Sequence, residues 1–278
     1  MSQDSARPIG VFDSGLGGIS VVRAIMELLP DEHLIYFGDT ARVPYGSKSA
    51  ETVTRFSRQI AHFLLEHDVK MIVVACNTAS AVALSTLQAE LDIPVVGVIA
   101  PGSKAALKHS RAKRIGVIGT TSTIRSEAYS QKIHEADPRC LVLSQACPLL
   151  VPLVEEDWPQ DAVIKQILEY YLAPFKESRC DSLILGCTHY PYLKDQIQAV
   201  MGNKVKLIDS GEATAAVVKQ ILDEAGLTSS ARQRPAKHQF FVSDFPQMFQ
   251  ETASRFLGKP LENLFHVELE VLEAFSAQ

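Results

Sequence analysis

The chain has few of the features that mark secreted, membrane-bound or polynucleotide-binding proteins. Its 278 residues hold five cysteines, an odd number with no C-x-x-C pair, so no disulfide framework is expected and the thiols read as reduced. Long apolar runs are absent too. Met71 to Cys76 is among the longest, far short of the ~18 residues a membrane-spanning helix needs. Met1 to Pro8 is polar and carries no signal-peptide core, so the sequence points to the cytoplasm with no membrane partner. Basic charge is not in excess: 27 Lys and Arg against 32 Asp and Glu leave −5, without runs of either sign. Counterion release has no basic face to act through, and a nucleic-acid partner is not expected. Glycine (15) and proline (14) are too sparse for a low-complexity or collagen-like chain. What remains is a soluble globule of about two domains at roughly 150 residues each.

Short β-rich apolar runs alternate with longer segments of helical period, the pattern of βαβ units around a parallel sheet. The class is α/β. Strands are expected at Ile9 to Phe12, Leu34 to Gly38, Met71 to Ala75, Pro94 to Val98, Ile115 to Ile118, Ser182 to Gly186, Val205 to Ile208 and Gln239 to Ser243. Between them Ile19, Val22, Met26 and Leu29 repeat at helical spacing, as do Val53, Phe56, Ile60, Phe63 and Leu64, and Val163, Ile167 and Tyr171. The chain also resembles itself. Ile9-Gly10-Val11-Phe12 has a counterpart in Ile115-Gly116-Val117-Ile118, and Cys76 and Cys187 each follow an apolar strand at 66 and 71 residues beyond Gly10 and Gly116. A duplicated α/β unit follows: residues 1–99 with 211–278 as one domain and 100–210 as the other. Ligands of open α/β sheets bind beyond the strand C-termini, which places a shared cleft between the two halves.

Three segments carry chemistry. Asp13-Ser14-Gly15-Leu16-Gly17-Gly18 is a strand-to-helix turn whose amides suit an anion. It is no dinucleotide fingerprint, since Ser20 stands at the third glycine position, and read alone it is a tight turn capped by Asp13 or Ser14. Cys76-Asn77-Thr78 and Cys187-Thr188-His189 each end a buried strand, where helix amides favour thiolate. One such cysteine is ordinarily a small buried hydrophobe. Two at matching positions across a cleft can work on opposite faces of one carbon, one thiolate taking a proton while the facing thiol gives one. At an ordinary thiol pKa near 8.5, forming the base costs only about 2 kcal/mol at neutral pH. Stabilising the carbanion is harder and needs donors placed beforehand; Asn77, Thr78, Thr188 and the turn amides are candidates, with Asp13 and His189 as proton relays. Cys76, Cys187 and His189 as metal ligands is disfavoured by the lack of short-spaced ligand pairs, and no lysine stands out as a Schiff base for pyridoxal. Cys140, Cys147 and Cys180 have no counterparts in the duplication and read as structural.

Gly10-Val11-Phe12-Asp13-Ser14-Gly15-Leu16-Gly17-Gly18, Val73-Val74-Ala75-Cys76-Asn77-Thr78-Ala79-Ser80 and Leu183-Ile184-Leu185-Gly186-Cys187-Thr188-His189-Tyr190-Pro191 together resemble bacterial glutamate racemase over nearly the whole chain. The resemblance implies two similar αβα domains related by a pseudo-twofold axis, with the active site between them. It also implies cofactor-independent interconversion of L- and D-glutamate, supplying D-glutamate for peptidoglycan. Cys187 would take the proton from L-glutamate and Cys76 from D-glutamate. Asp13 and His189 would assist, as would Glu155 in the matching stretch Pro148 to Glu155. It places Asp13 and Ser14 at the substrate amino group and Asn77, Thr78 and Thr188 near the α-carboxylate. The side-chain carboxylate would lie on the backbone N–H groups of Pro44-Tyr45-Gly46, which without the family reads as a plain turn. Thr120 and Thr123 would line the same pocket. A homodimer is the family expectation. Some members carry an N-terminal extension tied to activation by a cell-wall sugar nucleotide, whereas nine residues precede Gly10 here, so activator dependence is not expected. The rivals are an aspartate or related racemase of the same superfamily and a binding protein of the DNA gyrase inhibitor type; paired thiols argue against pure binding. The paired reading predicts that Cys76→Ser and Cys187→Ser each abolish glutamate turnover, followed by circular dichroism, while Cys140→Ser does not. Equal damage from Cys140→Ser would overturn the pairing.

Overall fold

The structure is a computed structural model describing residues 3–159, 162–229 and 236–277. Among the described residues ten strands run β1 (Ile9–Asp13), β2 (Leu34–Gly38), β3 (Met71–Val74), β4 (Val95–Gly97), β5 (Arg114–Gly119), β6 (Leu141–Ala146), β7 (Ser182–Gly186), β8 (Lys206–Asp209), β9 (His238–Val242) and β10 (Leu264–His266). They form two sheets, ordered β10-β9-β2-β1-β3-β4 and β6-β5-β7-β8, with every pairing parallel. The architecture is two parallel-sheet α/β domains. The run β2-β1-β3-β4 in one sheet repeats as β6-β5-β7-β8 in the other, so β3 and β7, the strands that lead to Cys76 and Cys187, occupy the same place. The C-terminal strands β9 and β10 extend the first sheet along the free edge of β2.

The inner strands β1, β3 and β7 are buried throughout, as parallel strands covered by helices on both faces must be, and this is why they read as unbroken apolar runs. Strands β6 and β10 were not expected. Each lies at a sheet edge, and their residues, LVLSQA and LFH, are only partly buried, so neither produces such a run. Expected strand ends shift by one residue: Ala75, Pro94, Val98, Val205 and Ser243 fall just outside strands.

The helix Ala50–Glu66 begins where the Ser49 hydroxyl accepts the Thr52 N–H and buries Val53, Ile60, Phe63 and Leu64 as expected, with Phe56 only half-buried. In Ala162–Glu177 the buried stripe is Ile164, Leu168, Tyr171, Leu172 and Phe175, while Val163 faces outward at 44% exposure. The expected stripe is thus offset, because Leu168 and Phe175 set the buried face and rotate Val163 away. Ser210–Ala225 is capped by Asp209, whose carboxylate accepts from Gly211 and Glu212 N–H groups at 2.8 and 3.3 Å. It packs against both Ile19–Leu28 and Ile99–His109, joining the two layered units. Among the described residues no helix is long and apolar enough to cross a membrane.

At the far end of the first sheet from the strand C-termini, Lys70 and Glu32 form a buried ion pair, Nζ to Oε2 2.5 Å, with side chains 1% and 2% exposed. Lys70 also donates to the Ser5 and Leu227 carbonyls, and Glu32 accepts the Ser229 N–H. This ties the approaches to β2 and β3 to the N-terminal segment and the chain after Ser210–Ala225. Burial pulls the Lys70 ammonium below its usual range and Glu32 opposes the fall. Removing one partner of such a pair strands a buried charge, so Glu32→Ala should lower the unfolding free energy by about 3–5 kcal/mol in urea titration. A loss under ~1 kcal/mol would show that Lys70 is satisfied without Glu32.

Candidate active site

Because both sheets are parallel, the segments that follow β1, β3, β5 and β7 emerge on the same side of each sheet and meet in one cavity of about 210 Å³. This is below the ~300–1,000 Å³ common for drug-sized ligands and suits a small metabolite. Of the residues expected at the site, Ser14, Pro44, Tyr45, Gly46, Cys76, Asn77, Thr78, Thr120, Cys187, Thr188 and His189 line it. Asp13 and Glu155 stand one layer back. Thr123 also lies behind the lining, its hydroxyl bonded to those of Thr78 and Thr120 at 3.3 and 3.0 Å. Ser47, Thr121, Pro148, Val151 and Pro152 complete the lining and were not expected as contacts. Val151 and Pro152 come from the helix Leu150–Glu155 and Thr121 from the start of Thr121–Arg125, and none of the five carries chemistry that singles it out.

The turn after β1 differs from the sequence expectation. Ile19–Leu28 has Gly18 at its N-cap and no side-chain cap. Asp13 instead folds back inside the turn, its Oδ2 accepting from Gly15 and Gly18 N–H groups at 3.2 and 3.0 Å. Its Oδ1 is buried with no protein partner. The glycines are required by close approach: a Cβ on Gly17 would lie 2.2 Å from Thr188 Oγ1, and one on Gly18 2.4 Å from Asp13 Cβ. Gly17 therefore lets the first unit touch the second at Thr188, and the Ser20 hydroxyl bonds the Thr188 carbonyl at 2.9 Å across the same seam.

The two thiols have different surroundings. Cys76 is the N-cap residue of Asn77–Val82, 5% exposed, with its Sγ 3.8 Å from Ser14 Oγ. Burial pushes this thiol up to about 12, and the neighbouring Asp13 adds to the rise, against hydrogen bonds from the Ala79 N–H and Ser14. The expectation of an easily ionised strand-end thiol is thereby corrected for Cys76: desolvation outweighs the helix amides. Burial likewise raises Asp13, although His189 and the turn amides oppose it. Cys187 Sγ lies 3.7 Å from His189 Nδ1, and His189 Nε2 is 2.8 Å from Glu155 Oε1 at the end of Leu150–Glu155. Burial alone would lower the imidazole, but its contacts with Cys187 and Glu155 win and lift it to about 10. Both contacts thus favour the protonated ring.

Hydroxyl and carboxamide side chains share the rest of the lining with Pro148, Val151 and Pro152, and among the described residues no lysine or arginine lines it. Thr78 Oγ1 is 3.0 Å from Thr120 Oγ1. Asn77 Oδ1 accepts from the Tyr129 hydroxyl at 2.6 Å, while its Nδ2 is buried and has no protein partner. The Pro44-Tyr45-Gly46 turn presents backbone to the cavity, and Gly46 packs on Thr120, 2.9 Å from where a Cβ would stand. Tyr45 itself is 1% exposed; its hydroxyl donates to Asp39, which also takes bonds from Arg42 Nε at 2.8 Å and Ser243 Oγ at 3.0 Å. Among the described residues no cluster of three His, Cys, Asp or Glu side chains is spaced to hold a metal ion.

Facing strand ends in two α/β units, each with a cysteine, define the class, and the comparisons with known proteins agree. The family profile Asp/Glu/Hydantoin racemase matches residues 9–218. Glutamate racemase of Geobacter metallireducens is 50% identical over 264 residues, covering 95% of this chain and 97% of that protein. The crystal structure of the glutamate racemase isoform RacE1 from Bacillus anthracis superposes with a TM-score of 0.92 at 41% identity, over 95% of this chain and 98% of that one. Glutamate racemase from Francisella tularensis, solved with D-glutamate, gives 0.89 at 38% identity, over 96% of this chain and 99% of that one. The chain belongs to the Asp/Glu/hydantoin racemase family, among its glutamate racemases.

His189 also couples the site to pH. Its folded-state value lies above the ~6.5 of a free imidazole, so its contribution to stability is complete below about that pH and is lost as pH rises through about 10. Glu155→Gln should move the His189 ring titration, followed by nitrogen NMR, to lower pH. An unmoved titration would show that Glu155 does not hold the ring proton.

Proposed function

We propose that the protein interconverts L- and D-glutamate without a cofactor, with Cys76 and Cys187 as the two bases. The reading is carried by the placement of two thiols at equivalent strand ends of a duplicated unit, facing one small cavity. In the L-to-D direction the Cys187 thiolate, paired with the His189 imidazolium, takes the α-proton. The Cα–H electron pair passes to the carbanion, and the Cys76 S–H bond breaks to deliver a proton to the opposite face. Thiol and thiolate have then exchanged places, and the D-to-L direction is the reverse. At about 12 Cys76 is a thiol at neutral pH, which suits the donor in the first direction. As a base it would be several kcal/mol short at pH 7, and a substrate ammonium beside Asp13 and Ser14 supplies positive charge that offsets this.

The carbanion is stabilised by donors fixed in place beforehand. Asn77, Thr78 and Thr188 receive the α-carboxylate, and the amides of Tyr45 and Gly46 the side-chain carboxylate, with Thr120 alongside. Asp13 relays protons at Cys76 and His189 does so at Cys187, oriented by Glu155. Supply of D-glutamate to peptidoglycan by a cytoplasmic homodimer completes the reading and rests on the family resemblance. The test is incubation with L-glutamate in D₂O without added cofactor, and with L-aspartate in parallel. Decay of the circular dichroism of glutamate to zero with deuterium entering at Cα is expected. Exchange of aspartate instead would change the substrate, and exchange of neither would leave the binding-protein alternative, including binding to gyrase.

A further inference from the structure

One hydrogen bond at the cavity wall crosses between the two units. Tyr129 lies in the first turn of Ala128–Ala136, between β5 and β6, and is 2% exposed. Its hydroxyl reaches Asn77 Oδ1, 2.6 Å away on the helix that follows Cys76. Asn77 is equally buried and lines the cavity, and its Nδ2 has no partner in the protein. The Ser210 hydroxyl is the phenol's other hydrogen-bonding neighbour. A carboxamide has the same shape in both orientations about its last bond, so its partners alone decide which end is donor and which acceptor at a given surface. Burial raises the Tyr129 phenol above its usual range, so it stays a neutral donor across the working pH.

We infer that Tyr129 is a positioning residue for the racemisation: by occupying Asn77 Oδ1 it fixes the amide so that the NH₂ group is left to the substrate's α-carboxylate. This rests on the glutamate reading above. Negative charge grows on that carboxylate as Cα loses its proton, so a donor held there favours the transition state. Without the phenol hydroxyl the orientation is no longer fixed before substrate binds, and the flipped amide turns an oxygen toward the carboxylate. Tyr129 touches no substrate atom and acts only through Asn77.

The experiment is a double-mutant cycle on glutamate racemisation with Tyr129→Phe, Asn77→Ala and the pair. Wild-type turnover is measured first, so that failure of the glutamate reading is seen separately. Tyr129→Phe should lower kcat/KM by 10- to 100-fold, approaching Asn77→Ala, with less than threefold further loss when added to Asn77→Ala. Two groups acting as one unit give this non-additivity, whereas loosened packing would multiply in both backgrounds. Wild-type kcat/KM in Tyr129→Phe, or a full multiplicative loss in the pair, overturns the inference. If Tyr129→Phe does not fold, Asn77→Asp takes its place, since it keeps the acceptor for Tyr129 and removes the donor. A loss of at least tenfold is then expected, and retained activity overturns the inference.

Discussion

The proposed chemistry on both faces of one carbon requires two groups held apart and aimed at each other, and the two thiols are placed by backbone rather than by long side chains. Cysteine is short, so its sulfur sits close to where the main chain puts it. A strand buried on both faces cannot shift without disturbing its whole sheet. Placing each thiol one or two residues beyond such a strand, β3 in one unit and β7 in the other, fixes both sulfurs through sheet geometry. Duplication supplies the second position from the same solution. The contacts across the seam, with Gly17 against Thr188 and Tyr129 on Asn77, then set how the two sheets face each other.

The four-strand order is repeated, but the electrostatics around the two thiols are not. Cys187 has a histidine two residues on, which is paired with Glu155. Cys76 has Ser14 and a buried carboxylate. The first environment places an imidazole of raised pKa beside sulfur; in the second, burial holds the proton on sulfur. A cavity with no lysine or arginine in its lining among the described residues leaves the substrate's own ammonium as the mobile positive charge in the proposed reaction. That makes the ionisation of one thiol depend on occupancy.

Much of this was legible in the sequence where burial writes itself as pattern. The inner strands are apolar runs, and the two cysteines were found because β1 and β3 repeat as β5 and β7. The half-exposed edge strands β6 and β10 leave no such trace. The Cys76 environment was misread because a sequence shows that helix amides follow but not how completely the sulfur is desolvated. Read alone, the turn has Asp13 or Ser14 capping the helix; the structure holds Asp13 inside the turn on the Gly15 and Gly18 N–H groups, a backbone path that depends on the close approach of Gly17 and Gly18 to Thr188 and Tyr36. The role of Tyr45 as an anchor on Asp39 depends on Ser243, about two hundred residues away in the chain, and no local motif announces it. Val151 and Pro152 line the cavity from a stretch whose composition is that of any core helix.

The contact at Gly17 also bears on how such a protein can change. Counted from the paired strands β1 and β5, Gly17 and Gly18 of the first half match Thr123 and Ile124 of the second, and the space beside Gly17 is filled by Thr188 and His189. A side chain at Gly17 would overlap Thr188 and His189, so a change there needs a matching change across the seam.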